Sequence, residues 1–446
     1  MTLISLLISV VSLFLYGYFF NRPVINYYSG PGARQVVEKF LIEDHGFQSI
    51  VKNVNPTIVF IQTIKENENK IRSIESGSGV IITSDGYIVT NEHVIREHDN
   101  IIITTFNNKQ YNAELIGSDE LTDIAVLKIK NENLPFLFIA DSHALNEGDI
   151  VLAFGNPFRL KNSVSMGIVS ARNRNLNILG AQGIESYIQT DAIANSGNSG
   201  GALVNTSGKM VGLIAAVNLE KEIESGFSFA IPSNIVKKAV FDIINYRAVQ
   251  RARTGMSLVD IQPGNNVWNT HGAEILRIEK DGPAFKSGLK AGDLILKLDS
   301  INVIDASYFQ ALIYEKKPGD VVTLSFLRNG KENTAKISLK NAFNTDELIS
   351  SRKDKILSDF GLIVRDLTSS EITSLKTKGV IVISIMKNSK AGLSNMEPDY
   401  IITEINSEPV KTVDEMIEKI KKSSGRISFN GFYKSYPGNF PYFIEK

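Results

Sequence analysis

Between residues 56 and 232 the apolar positions come as short runs and alternations, with none of the three-to-four spacing of a helical stripe. VIIT (80–83), YIVT (87–90), IIITTF (101–106), IAVLKI (124–129), VLAFG (151–155) and MVGLIAAV (210–217) are such runs, punctuated by turn residues such as Ser84-Asp85-Gly86 and Ser207-Gly208. Short β-branched runs between Gly, Asp and Ser read as strands. About a dozen of them in this stretch predict an antiparallel β architecture, barrels or a sandwich. The pattern then turns helical in NIVKKAVFDIINY (234–246), with Ser233 placed to N-cap it.

Upstream, residues 3–20 (LISLLISVVSLFLYGYFF) are uncharged and mostly apolar. As a helix they would span about 27 Å, just under the ~30 Å of a bilayer's hydrocarbon core. They read as a signal sequence or as an uncleaved anchor, because neither a basic n-region nor a small-x-small cleavage site is clear. Arg22, following the run, would weakly hold the next segment inside, but large domains are exported largely regardless of such charges. A Gly/Pro-containing connector (28–34) and a short helical pattern (36–42) lead into the β unit.

Downstream lies an internal repeat. Gly255-Met256 matches Gly361-Leu362, Ser287-Gly288-Leu289 matches Ala391-Gly392-Leu393, and the run 293–299 resembles 400–406, at offsets of 106, 104 and 107 residues. Such offsets mean one duplicated unit of about 85 residues with a small insertion or deletion near 395–398.

Composition narrows the chemistry. The 446 residues carry 48 Lys+Arg against 48 Asp+Glu, so no global positive field favours nucleic acid. With no cysteine, thiol nucleophiles, disulfides, Cys-ligated zinc and a lipid-modified Cys are all excluded. An apolar content of 43% with 22% charged residues is that of folded domains, and the length implies several of them.

The five histidines are His45, His93, His98, His143 and His271. Glu92-His93 and Glu97-His98 look metal-like, but a histidine spacing of five is not the i, i+4 pair of a helical zinc site, and no metal is expected. Gly197-Asn198-Ser199-Gly200-Gly201 is the sharper signal. Glycines around a serine let the hydroxyl project while backbone N–H groups converge on one point, as an oxyanion hole needs. Serine also needs a base, and His93 at a strand end, with Asp123 at the mouth of the next strand, could supply and orient it. Singly, each has a plainer reading: a structural turn, a satisfied strand-end histidine, a cap carboxylate. Together their His…Asp…Ser order is that of chymotrypsin-like double barrels.

GSGVIITSDGYIVTNEHVI (77–95), TDIAVLKI (122–129), GNPF (155–158), SVSMGIVSA (163–171), QTDAIANSGNSGGALVN (189–205) and FSFAIPSN (227–234) closely resemble the HtrA family of trypsin-like serine proteases. The resemblance implies a mainly β chain: a signal sequence or anchor with its connector (1–34), a trypsin-like double six-stranded β-barrel (35–247), and two α+β PDZ domains (254–340 and 356–446). It implies His93, Asp123 and Ser199 as a triad, with the backbone of Gly197, Asn198 and Ser199 as the oxyanion hole, and no cofactor. It further implies an ATP-independent endopeptidase of the periplasm or cell envelope acting on unfolded or damaged proteins, assembled as trimers or larger, and a specificity pocket lined by 215–226 that favours small aliphatic side chains. A chaperone, or a PDZ scaffold with little proteolysis, is the alternative.

PDZ domains add a peptide as a strand to a sheet edge while a Gly-containing turn presents N–H groups to its terminal carboxylate. Gly255-Met256 and Gly361-Leu362 fit that turn, with helices expected near 308–315 and 414–420 as the opposite walls. The second copy's AGLSNMEPDY departs from the usual AGL-x-x-GD. Other departures are Ser196 and Ala202 where the family usually has Pro, Arg159 where it has Gly, and a short segment, 62–75, in place of a long regulatory loop.

Overall fold

The computed structural model describes residues 46–446 apart from 67–71, 97–99, 157–161, 181–182, 196, 216–225, 262–270, 343, 349–354, 386–388, 435 and 437. The leader (3–20), the connector and the 36–42 helical pattern lie outside the described residues, as do His45, His98, Arg159, Ser196 and most of the expected specificity segment. The chain divides into two compact units, up to Lys52 and from Asn53 onward. In the first, the described residues are the opening turns of helix α1 (Gly46–Val54).

The second unit begins with seven antiparallel strands: β1 (Ile58–Glu66), β2 (Arg72–Ile81), β3 (Tyr87–Thr90), β4 (Asn100–Thr104), β5 (Gln110–Asn112), β6 (Glu114–Asp119) and β7 (Ile124–Lys128), in the order β5-β4-β1-β2-β3-β7-β6. The strand beyond the expected six is the three-residue β5, paired with β4. Residues 62–66 and 72–75, expected as loop, continue the β1–β2 hairpin in unbroken register from Ile58↔Val80 to Glu66↔Arg72. Alternation explains it: Ile61 and Thr63 turn inward and are fully buried, so the strand period runs on beyond the point where the loop was placed. Val59, Ile61, Ile81, Ile88, Ile103 and Leu127 form this half's core.

The next six strands, β8 (Ile150–Gly155), β9 (Ser163–Arg174), β10 (Tyr187–Thr190), β11 (Ala202–Asn205), β12 (Met210–Ala215) and β13 (Ser228–Pro232), close into a barrel in the order β10-β13-β12-β11-β8-β9. Val151, Ala153, Val169, Ile188, Leu203 and Val211 fill it. Within the first half, helix α2 (Glu92–Ile95) is a single turn after β3, and helix α3 (Ser233–Tyr246) closes the unit. Ser233 is not the cap of α3. Pro232 holds that position, and the Ser233 hydroxyl donates to the carbonyl of Ala140 at 2.7 Å, tying the helix to the segment between the halves.

The repeat folds as two similar six-stranded sheets. The first comprises β14 (Met256–Asp260), β15 (Ala273–Ile278), β16 (Leu294–Leu298), β17 (Ile301–Asn302), β18 (Val321–Arg328) and β19 (Lys331–Ser338), with helices α4 (Pro283–Lys286) and α5 (Ala306–Tyr314). The second comprises β20 (Leu362–Asp366), β21 (Val380–Ile385), β22 (Tyr400–Ile405), β23 (Glu408–Pro409), β24 (Arg426–Tyr433) and β25 (Tyr442–Glu445), with helices α6 (Lys355–Phe360), α7 (Ser369–Leu375) and α8 (Val413–Lys422). Strand orders β14-β15-β16-β18-β19 and β20-β21-β22-β24-β25 correspond, leaving β14 and β20 at sheet edges. The departing AGLSNMEPDY segment keeps the turn: Asp399, at φ 67°, takes the left-handed position that Gly292 occupies at φ 86° in the first copy. Aspartate tolerates that conformation better than most residues.

Candidate active site

His93 stands on α2, immediately after β3. The one-turn helix is hung on Asp123: Glu92 N–H donates to the Asp123 carbonyl at 3.2 Å, His93 N–H to Asp123 Oδ1 at 2.9 Å, and Asn91 Nδ2 to the same carbonyl at 3.1 Å. Asp123 Oδ2 then lies 2.7 Å from His93 Nδ1. A carboxylate is an acceptor, so Nδ1 carries the proton and Nε2 is left to take another. Asp123 reaches this pose by adopting φ 56° at the end of the tight turn between β6 and β7. Asp119 supports the turn, accepting from Leu121 N–H at 3.2 Å and Thr122 Oγ1 at 2.9 Å.

Burial works against charging the imidazole, but the hydrogen bond and charge of Asp123, with Glu92 adding to them, outweigh it and hold the His93 pKa above its ordinary 6.5, while Arg96 pulls it down. The His93 side chain is 41% exposed and open to a reacting partner, whereas that of Asp123 is 8% exposed.

Ser199 comes from the other half, on the loop before β11. Asn198 N–H donates to the Asn195 carbonyl at 2.9 Å, closing a four-residue turn whose third member, Gly197, has φ 94°. That is where a type II turn requires glycine, and the sign of φ sets the side to which the Gly197 N–H points. Ser78, buried on β2, clamps this loop across the two halves. Its N–H donates to the Ser199 carbonyl at 2.7 Å, its hydroxyl donates to the Gly197 carbonyl at 2.7 Å, and that hydroxyl accepts from Asn156 N–H at 2.8 Å. Thr90 Oγ1 donates to the Ser78 carbonyl at 2.7 Å.

The glycines are close-approach sites. A Cβ on Gly77 would lie 2.7 Å from Val94 Cγ1 and 3.2 Å from the Ser199 carbonyl oxygen. The residue after His93 and the serine's own backbone therefore meet over one glycine. At Gly200, with φ 81°, a Cβ would sit 2.2 Å from the Ser78 carbonyl oxygen.

Both candidate peptide turns have the left-handed glycine, Gly255 at φ 72° and Gly361 at φ 70°, leading into the edge strands through Met256 and Leu362. The adjoining helices are fixed alike. Ala306 N–H donates to Asp260 Oδ1 at 2.9 Å and Val413 N–H to Asp366 Oδ1 at 2.6 Å, so each groove helix is pinned to the end of its edge strand.

Residues 77–213 match the trypsin-like peptidase domain and residues 252–339 the PDZ domain. A probable periplasmic serine endoprotease DegP-like of Bartonella henselae is 32% identical over 412 residues, covering 89% of this chain and 78% of that protein. The chain belongs to the HtrA family of serine endopeptidases. A protein of the same description from Halomonas elongata is 33% identical over 349 residues, 77% of this chain and 73% of its own. Among solved structures, the HtrA-type protease AlgW with tripeptide matches with a TM-score of 0.54 and 33% identity, covering 66% of this chain and 96% of that one.

Within this HtrA chain, sequence reasoning missed three side chains. Ser78 sits inside the Gly77-Ser78-Gly79 run, where glycines on both sides of a serine are the sign of backbone crowding that points to it. Asp119, which also receives the Tyr314 hydroxyl at 3.0 Å and pairs with Arg251, had no sequence signal: the first partner lies 195 residues away. Glu92, whose metal-like place beside His93 the histidine spacing already argues against, has its carboxylate engaged by Arg96. Among the described residues no three His, Cys, Asp or Glu side chains gather as a metal site, and no helix is long and apolar enough to cross a membrane.

Proposed function

We propose that this HtrA chain cuts unfolded or damaged proteins in the periplasm or cell envelope, with Ser199 as nucleophile, His93 as general base and acid, and Asp123 as the group that orients the imidazole. Ser199 Oγ bonds to the scissile carbonyl carbon while His93 Nε2 takes the hydroxyl proton. The carbonyl oxygen becomes an oxyanion facing the backbone of Gly197, Asn198 and Ser199. The C–N bond then breaks, and His93 returns the proton to the leaving amine. Water next attacks the acyl-enzyme, its proton passing through His93 back to Ser199. The observation that carries this reading is the doubly held Asp123–His93 pair, at 2.9 and 2.7 Å, on a helix whose next residue meets the Ser199 backbone at Gly77.

Residues 35–247 are the protease domain in this reading, and 254–340 and 356–446 are PDZ domains whose Gly255-Met256 and Gly361-Leu362 turns take peptide C-termini. Trimers form through the protease domains, and residues 1–34 direct or anchor the chain to the envelope. The decisive experiment is degradation of unfolded casein by the full-length chain beside Ser199→Ala, followed by mass spectrometry of the peptides. Loss of about 10³-fold or more in rate is expected on substitution. Equal turnover by both forms refutes the reading; suppression of aggregation with no cleavage by either form moves it to a chaperone.

A further inference from the structure

The triad reading uses His93 and Asp123 but leaves unused a second buried carboxylate beside them. Glu92, next to the base on the same helical turn, is 4% exposed. Its side chain faces Arg96 at i+4 in a forked pair: Nε lies 3.1 Å from Oε1 and 2.8 Å from Oε2, and Nη2 lies 2.5 Å from Oε2. Burying a carboxylate costs free energy that a well-aligned guanidinium only offsets, and a one-turn helix already hung on Asp123 gains little from it. The pair stands on the same helical turn as His93, with Glu92 the residue directly before the base, so its charge lies beside the imidazole along the chain.

We propose that the Glu92–Arg96 pair tunes the catalytic base: Glu92 adds a second fixed negative charge beside His93, Arg96 moderates it, and the pair sets the pH range over which the protease works. This rests on His93 being the base. Each facing group acts in a definite direction. Asp123 and Glu92 favour the charged imidazole and Arg96 opposes it. Burial pushes the Glu92 carboxyl above its ordinary range; Arg96 draws it back, and Glu120 and Asp123 push it further up. Arg96 itself is held charged by Glu92, Glu120 and Asp123. From the second half, Tyr187 faces Asp123 with its hydroxyl kept protonated, first by burial and then by Glu185 and Asp123. During catalysis His93 becomes an imidazolium with Asp123 at 2.7 Å and Glu92 on the same helical turn, so a charge at Glu92 stabilises the form that the transition state approaches.

The test is the pH dependence of kcat/KM for a fluorogenic peptide, measured on the full-length chain and on Glu92→Gln and Glu92→Asp. Glu92→Gln keeps the side chain's shape and removes its charge, so the acid limb moves to lower pH by about 0.5–1 unit. Glu92→Asp, which restores the charge, returns it to within about 0.2 unit of the parent. A limb that stays in place for Glu92→Gln while the plateau rate falls marks a purely structural role and overturns the proposal, as do equal shifts in both variants. Should Glu92→Gln not fold, Arg96→Gln carries the test: the limb moves up, and one that stays or moves down overturns it. Full activity in His93→Ala would instead overturn the triad reading on which this rests.

Discussion

Ser78→Ala should disable the protease without touching the triad. The hydroxyl of Ser78 is fully buried and makes two bonds, donating to the Gly197 carbonyl at 2.7 Å and accepting from Asn156 N–H at 2.8 Å. Alanine leaves one backbone acceptor and one backbone donor unmatched in the interior. Each such group costs about 1–3 kcal/mol, so roughly 4 kcal/mol of stability is lost as a central value. For a protease domain of this size that lowers Tm by about 8–16 °C, short of unfolding it at 25 °C. The kinetic effect should be larger than the structural one. The Gly197 carbonyl belongs to the residue whose N–H is proposed to serve the oxyanion, and the lost bond is what fixes that residue from the opposite half of the domain. Misplacing one oxyanion donor costs about 10²–10³-fold in kcat. The assay is kcat and KM on a fluorogenic peptide below the variant's Tm, with thermal unfolding followed in parallel. We expect kcat to fall about 10²-fold with KM within a few-fold. A folded Ser78→Ala enzyme with kcat within twofold of the parent would refute the reasoning, because the serine loop would then hold its geometry without the clamp.

Three further outcomes are expected. Gly200→Ala requires a side chain at φ 81° and a Cβ 2.2 Å from the Ser78 carbonyl oxygen; backbone cannot yield there, so activity should vanish and stability drop by about 3 kcal/mol or more in urea melts. His143, between the two halves, lies 3.0 Å from Glu315 at the end of α5, and that hydrogen bond raises its pKa above the ordinary 6.5 against the effect of burial. The contribution of this partly buried pair is therefore full below about pH 6.5 and fades as pH rises through the higher folded value; it amounts to about 0.5–1 kcal/mol. In Glu315→Gln, limited proteolysis between protease and PDZ domains should lose that pH dependence. Finally, Asp260→Ala frees the first turn of α5 from the edge strand; calorimetry with C-terminal peptides should show weakened binding to the first PDZ copy, and unchanged affinity would show that the pin plays no part in the groove.

Local patterns in the chain determined a good deal of this. Short apolar runs between turn residues specified the strands, because a strand's period of two and its punctuation lie within a few neighbouring residues. The repeat specified two like sheets. Single residues with unusual backbone demands, Gly197, Gly200, Gly255 and Gly361, marked the turns on which the chemistry rests, because a left-handed φ selects glycine whatever the tertiary setting. His93, Asp123 and Ser199 were legible as candidates from residue type, order and motif.

Tertiary structure decided what these groups touch. Ser233 has the local signature of a cap, yet its hydroxyl found a better acceptor at Ala140, 93 residues away. Ser78 grips a loop 119 residues downstream, and Asp119 gathers Tyr314 and Arg251. Glu92 could have belonged to a metal site or to the surface until the fold buried it against Arg96. Hydrophobic periodicity records only which face of a segment turns inward. A buried polar group's partner depends on which segment folding lays beside it, and that follows from the packing of the whole chain.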